Sequence, residues 1–304
     1  MRIKQGVQKY IALFGVFCLS ILAFLKNQIS ITVLGLTWFS VAFVALCFQQ
    51  IFGQVRNLDK ALRVGLSRTE QELASHHRDR TRAETETFRQ IESLLTLYRR
   101  VDGLETMPHL RGWAVSPDLA LELYEIVISG GVTQVLELGS GSSTAVIASA
   151  LKSVGAGHLM SIEHDRHYAN EVMQTLPDDL LHFVDIYCAP LVPQQVGEEE
   201  FLWYDLSEAV IPKSVDLLLV DGPPAAVGPQ SRYPAFPLLE QFLSDSALIV
   251  LDDGRRQEEQ QIVTRWASNS SITEIKQIQH ERLPYVLKFE RFYNENSETG
   301  EGSR

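Results

Sequence analysis

Four apolar runs beyond residue 130 of this chain, each containing or followed by a carboxylate at its end, limit its fold more than any other feature. They are Thr133–Leu138 (TQVLEL), His158–Ile162 before Glu163, Val215–Val220 (VDLLLV) before Asp221, and Ala247–Leu251 (ALIVL) before Asp252 and Asp253. A strand with no polar face must be covered on both faces. Helical segments lie between the runs, at Ser142–Val154, Tyr168–Leu176, Phe236–Leu243 and Glu258–Ala267. Phe183–Cys188 adds a further strand. This alternation predicts a parallel sheet wound on both sides by helices. The end departs from it. Thr273–Ile278 and Tyr285–Phe289 are joined by a short stretch containing Pro284. A parallel pair needs a crossover of about a dozen residues, so the last pairing is expected to be antiparallel. The expected fold class is α/β: a doubly wound, mostly parallel seven-stranded sheet with an antiparallel last strand, spanning residues 107–293.

The first run leads into Glu137-Leu138-Gly139-Ser140-Gly141-Ser142-Ser143-Thr144. Its glycines allow a sharp strand-to-helix turn and close approach of a ligand. Open α/β sheets bind ligands at this edge. A carboxylate beside such a loop would repel a pyrophosphate but suits a ligand with a cationic centre. Glu163, after the second run, can accept hydrogen bonds from a ribose diol. A nucleoside with a cationic amino-acid tail and no phosphate suits both acids, which describes S-adenosylmethionine.

VLELGSGSSTAVIA, SIEHD, DLLLVDGPP and LIVLDDGRR, with the terminal antiparallel pair, resemble a class I S-adenosylmethionine-dependent methyltransferase of Rossmann-like fold. The nearest group is that of the small bacterial enzymes akin to the catechol and caffeoyl-coenzyme A O-methyltransferases. The resemblance covers about residues 107–292. It implies that Glu137, Gly139 and Gly141 form the donor loop with Ser140, Ser143 and Thr144, and that Ser143 stands where the family has a third glycine. It implies further that Glu163 holds the ribose hydroxyls and that His164 or the backbone after the third strand flanks the adenine. Trp113, Ser116 and Pro117 precede the first core helix, where they could lie over the donor.

Asp221, Asp252 and Asp253 all fall at the same sheet edge. The resembled O-methyltransferases hold a divalent metal between an acid after the fourth strand and an Asp-Asn pair after the fifth; here the last position is Asp. Three hard oxygen ligands suit Mg²⁺, which would polarise an acceptor hydroxyl. Alternatively one aspartate acts as general base without metal, or Asp252 or Asp253 caps the following helix. Trp203-Tyr204-Asp205, read as part of a long loop, and Arg232-Tyr233-Pro234 could close the site. Arg232 and Arg255 could hold an anionic acceptor. Cys188, at the end of a strand, is read as a core residue.

The N-terminal part has a different composition. Ile11–Leu25 and Ile29–Phe48 carry no charge, and Lys26-Asn27-Gln28 separates them. Spanning a bilayer takes roughly 20 apolar residues, so residues 1–53 read as a transmembrane helical hairpin; a signal peptide before one span is the alternative. Arg2, Lys4 and Lys9 precede the hairpin and Arg56, Lys60 and Arg63 follow it, placing both ends in the cytoplasm at the inner membrane. Residues 54–106 read as a helical stalk. Val55, Leu58 and Leu62, and again Phe88, Ile91, Leu94 or Leu95, and Tyr98, form an apolar stripe through which two copies could pair.

Residues 1–110 carry 14 Lys and Arg against 9 Asp and Glu, and residues 111–304 carry 13 against 29. So acidic a domain is not a nucleic-acid binder. Three cysteines exclude a disulfide scaffold. The tail, residues 294–304, lacks a core pattern and reads as disordered.

The combined expectation is a membrane-tethered methyltransferase acting on a hydroxyl of a small molecule, a glycan or a lipid-linked intermediate. Its rivals are a dehydrogenase or aminopropyl transferase on the same frame, and a non-catalytic scaffold in envelope polymer assembly.

Overall fold

The computed structural model describes residues 14–23, 25, 31–101, 110 and 114–292. The expected basic N-terminus, the Lys26–Gln28 turn, Trp113 and the polar tail lie outside the described residues. The chain divides into two compact units, Met1–Thr81 and Arg82–Arg304.

In the first unit, α1 (Phe14–Ala23) is a short apolar helix, and the edge of its Phe17 ring meets Trp38 at 5.4 Å. Trp38 belongs to α2 (Ile31–Arg100), an unbroken helix of 70 residues that continues into the second unit. Among the described residues α2 alone is long and apolar enough to cross a membrane. Of the two expected spans, one corresponds to a helix that passes by length and composition, whereas α1 has 10 described residues against the roughly 17 that spanning needs.

In the second unit the final turns of α2 bury Gln90, Ser93 and Leu97. The apolar stripe expected to pair two copies, Phe88, Ile91, Leu95 and Tyr98, is exposed in the single chain. On the buried face, Gln90 Oε1 accepts the Asp118 amide and Nε2 donates to Glu86.

The sheet is built from β1 (Gln134–Leu138), β2 (His158–Glu163), β3 (Val184–Cys188), β6 (Val215–Val220), β7 (Leu243–Leu251), β8 (Ile272–Gln277) and β9 (Tyr285–Glu290). The strand order is β3-β2-β1-β6-β7-β9-β8, parallel except for the β7–β9 and β9–β8 pairings. The seven strands and the antiparallel end agree with the expectation. The helices are α3 (Pro117–Ser129), α4 (Ser142–Val154), α5 (Arg166–Thr175), α6 (Ala235–Leu239) and α7 (Gln257–Trp266). Side chains alternate along each strand. Val135, Leu217 and Leu219 join the core that includes α3 and α4. Leu136, Leu218 and Val220 join Phe236 and Trp266 on the other face. Asp216 is the one acid inside β6, and its carboxylate accepts from the Thr133 amide and hydroxyl and the Gln134 amide, anchoring the start of β1.

One element was not expected. Residues assigned to a loop after β3 form a hairpin of β4 (Leu191–Val196) and β5 (Glu199–Tyr204). Its two-residue turn begins with Gly197 at φ +61, and a glycine opening a two-residue link is a hairpin signal. Trp203 and Tyr204 are therefore core residues of a strand, about 1% exposed.

Leu97 lies in the core of the second unit, whereas Leu62 is 58% exposed. Leu97→Ala should cost about 2–5 kcal/mol and Leu62→Ala no more than about 0.5 kcal/mol. Urea unfolding of the full chain in detergent checks the difference; equal costs would contradict the packing of the α2 end.

Candidate functional site

The sheet ladder continues one residue past four strand ends. Gly139 N donates to Ile162 O, Asp221 N to Leu138 O, Asp252 N to Val220 O and Ala189 N to Glu163 O. These bonds bring Gly139, Glu163, Asp221 and Asp252 to one edge. Gly139 adopts φ +96, and a Cβ there would meet the Asp221 carbonyl carbon and the Gly222 amide at 3.2 Å. A Cβ on Gly222 would in turn strike the Tyr204 hydroxyl. The loops after β1 and β6 thus touch backbone to backbone, which only glycine allows.

A chain of hydroxyls holds the donor loop. The Thr144 hydroxyl accepts from Gly141 N at 2.9 Å and donates to Glu137 Oε2 at 2.6 Å. Ser161 Oγ donates to the same oxygen at 2.6 Å and lies 2.7 Å from Ser140 Oγ. Ser143 is buried in the first turn of α4. Glu137 is fully buried and does not line a hollow. It ties the loop from below, through Thr144 and Ser161. Strand parity is the reason, since Glu137 shares the α4 face with Val135. Burial pushes its carboxyl up to about 7, against the pull of the hydroxyls.

A hollow of about 280 Å³ opens above the loop, lined by Gly139, Ser140, Glu163, His164, Tyr168, Tyr204, Asp221 and Pro224 among others. Glu163 Oε1 accepts from the amides of His164 (2.8 Å) and Asp165 (2.9 Å). Its Oε2 accepts a single, longer bond from Ser140 N (3.2 Å), so this oxygen keeps capacity for a ligand hydroxyl. His164 Nδ1 lies 2.7 Å from Glu163 Oε1. The Tyr204 hydroxyl is buried without a hydrogen-bond partner among the described residues, and burial raises its pKa, so it stays protonated as a donor. A nucleoside with a vicinal diol fits these groups. Ser116 is not among them. It precedes α3, where its hydroxyl donates to Asp118 Oδ1 at 2.5 Å.

A second hollow of about 370 Å³ is lined by Asp221, Pro224, Ala225, Ala226, Arg232, Asp253, Arg256 and Arg282. Asp221 and Pro224 line both hollows. Asp221, Asp252 and Asp253 come within 4.8 Å of one another. Asp253 sits at φ +59, a conformation that aspartate tolerates better than most residues. Neither Asp252 nor Asp253 caps α7, whose N-cap residue is Arg256.

Arginines fill the cluster. Arg232, 4% exposed, donates through Nη2 to Asp221 O (2.8 Å), Asp221 Oδ1 (3.0 Å) and Asp253 Oδ2 (3.1 Å), and through Nη1 to Asp252 O (3.1 Å). Arg282 Nη1 donates to Asp252 Oδ2 at 3.0 Å, and Arg256 Nη1 lies 2.9 Å from Asp253 Oδ2. Glu259 adds a fourth carboxylate, 3.5 Å from Arg256. Burial, and then the charge of Asp252, hold the Asp221 carboxyl well above the ordinary carboxylate range. Burial alone would lower the pKa of Arg232, but the surrounding carboxylates raise it above its usual value.

These residues do not fit a divalent cation. Each aspartate already holds a guanidinium, so a dication here would have to displace Arg232 from Asp221 and Asp253 and Arg282 from Asp252. The expected Mg²⁺ site is corrected on that ground. The anionic-acceptor role expected for Arg232 is corrected too, because its head is buried and committed. Arg255 is exposed.

Residues 136–254 match the family model described as a methyltransferase domain, so the chain carries a methyltransferase domain. The match includes the donor loop, Glu163, Asp221 and the acid pair. No curated protein matches the chain. The chain is similar to the Bacillus cereus O-methyltransferase solved in complex with SAH, at 15% identity over 66% of this chain and 91% of that one, TM-score 0.46. It is similar to the Streptomyces achromogenes O-methyltransferase TomG, involved in tomaymycin synthesis and solved in complex with SAM, at 18% identity over 64% and 88%, TM-score 0.45. A Geobacter sulfurreducens methyltransferase shares 13% identity over 66% and 88%, TM-score 0.43.

Glu137 generates a pH prediction. Its folded pKa lies above its unfolded value, so its contribution to stability is present below the unfolded pKa and is lost as pH rises through the folded one. The loss amounts to about 3 kcal/mol. Glu137→Gln keeps an acceptor for both hydroxyls and removes the buried charge. Its melting temperature should gain on wild type between about pH 5 and pH 8; a gap that does not change with pH would contradict this.

Proposed function

We propose, taking the methyltransferase domain as premise, that this chain transfers a methyl group from S-adenosylmethionine to a hydroxyl of a small molecule, glycan or lipid-linked acceptor without a metal. The observation that carries the reading is the position of Asp221, whose side chain lines both hollows.

When bound, the donor supplies an electrophilic methyl group on a cationic sulfur. Glu163 Oε2 would accept from the ribose hydroxyls, and Tyr204 Oη would donate a hydrogen bond. The walls of the first hollow hold the nucleoside and exclude water, which supports a displacement that depends on alignment. Asp221 Oδ1 is held by Arg232, while Oδ2 has no hydrogen-bond partner among the described residues. Oδ2 would take the proton of the acceptor hydroxyl as that oxygen attacks the methyl carbon. The carboxyl's raised proton affinity suits a general base working near neutral pH.

The apolar N-terminal part of α2 supports membrane attachment. The Phe17–Trp38 contact supports a helical hairpin, with a second span that includes α1. The positive charge on both flanks supports a cytoplasmic position for the methyltransferase domain. Protease added to inside-out vesicles should digest that domain, and protease added to intact spheroplasts should leave it whole; the reverse pattern would contradict the orientation.

Calorimetry on the full chain in detergent should show binding of S-adenosylhomocysteine, weakened about 10–100-fold in Glu163→Ala. Asp221→Asn should keep that binding while turnover falls by a factor of about 10²–10⁴. Wild-type activity should rise with pH as Asp221 loses its proton, with a midpoint above the ordinary carboxylate range. Unchanged turnover in Asp221→Asn would overturn the base assignment. Mass spectrometry of lipids and glycans from a deletion strain, searching for a lost CH₂ increment, would identify the acceptor.

A further inference from the structure

We infer that Arg232 is a built-in cation, occupying the charge position that a divalent metal would need between Asp221 and Asp253 and fixing the Asp221 carboxylate from the second hollow. Three observations carry this. First, one nitrogen, Nη2, bridges the acids on two different strand ends, at 3.0 Å from Asp221 Oδ1 and 3.1 Å from Asp253 Oδ2. A metal bridging the loops after β6 and β7 would make the same connection. Second, the same nitrogen donates to the Asp221 carbonyl at 2.8 Å and Nη1 donates to the Asp252 carbonyl at 3.1 Å. The guanidinium therefore holds the backbone of both loops as well as their carboxylates, which a spherical ion does less selectively. Third, the segment that delivers it is itself anchored. The Ser231 hydroxyl donates to Pro223 O at 3.2 Å and Tyr233 N donates to Gln230 O at 2.8 Å.

The charge count follows the same logic. Asp221, Asp252, Asp253 and Glu259 face Arg232, Arg256 and Arg282, so the cluster is nearly neutral before any ion arrives. Removing Arg232 leaves the two bridged acids without the charge they share. Arg232 is a positioning residue: it acts through Asp221 and leaves Asp221 Oδ2 available to the acceptor. As a statement about the reaction this rests on the methyl-transfer reading; as a statement about the cluster it stands without it.

The test is Mn²⁺ binding, followed by electron paramagnetic resonance on the full chain in detergent with neither donor nor acceptor present. Wild type should bind no Mn²⁺ at the cluster, and its melting temperature should not respond to EDTA. Arg232→Met should gain one Mn²⁺ per chain at about millimolar metal or below, and the further change Asp253→Asn should abolish that site. Arg232→Gln serves as the second variant, closer in polarity and shape, should the methionine protein not fold. One Mn²⁺ bound by wild type and lost in Asp253→Asn would overturn the inference, as would a folded Arg232 variant that gains no site. Binding of S-adenosylhomocysteine, measured separately, reports on the methyl-transfer reading alone, so either claim can fail without the other.

Discussion

The hydrogen-bond ladder that runs one residue beyond the ends of β1, β3, β6 and β7 is the constraint on which the site depends. Parallel strands in register finish at a common edge, and the bonds from Gly139 to Ile162, Asp221 to Leu138 and Asp252 to Val220 carry that alignment into the loops. Side chains distant in sequence therefore start from fixed backbone positions. Glycines at 139 and 222 then let two of the loops touch. The site needs little more than this alignment to bring Glu163, Asp221 and Asp252 together.

The two hollows are stabilised by different chemistry. The donor side is organised by hydroxyls and backbone amides around two buried glutamates, Glu137 and Glu163. Glu137 keeps the loop in shape from beneath, and Glu163 meets the hollow. The other side is organised by ion pairs among four carboxylates and three guanidiniums. Buried charges of this kind are tolerated only when each has a partner of opposite sign and good hydrogen-bond geometry. Asp221 belongs to both sides, since one oxygen is committed to an arginine and the other has no hydrogen-bond partner among the described residues. That division suits a group that must stay in place and still accept a proton.

Much of this could be read from the sequence. The apolar runs are continuous because their strands are covered on both faces, and the carboxylates at their ends mark the functional edge. What could not be read depended on partners distant along the chain. The role of Glu137 is set by strand parity and by Ser161, its neighbour across the β1–β2 ladder. The β4–β5 hairpin carries no long apolar run, and its signal is a single glycine. The face of α2 that meets the second unit carries Gln90, whose bond to the Asp118 amide joins residues 28 apart in the chain. Ser116 lies close in sequence to the first core helix, yet its hydroxyl is spent on Asp118. The burial of Arg232 among three acids cannot be read from the Arg-Tyr-Pro segment itself.

A crystal structure of the full chain with S-adenosylhomocysteine bound tests the central claim most directly, because it reports where the sulfur lies relative to Asp221. The account predicts the ribose hydroxyls on the Glu163 carboxylate, the nucleoside beside Tyr204, and the sulfur at the seam where Asp221 faces both hollows. A nucleoside bound elsewhere, or one lying in the hollow with its sulfur turned away from Asp221, would contradict it.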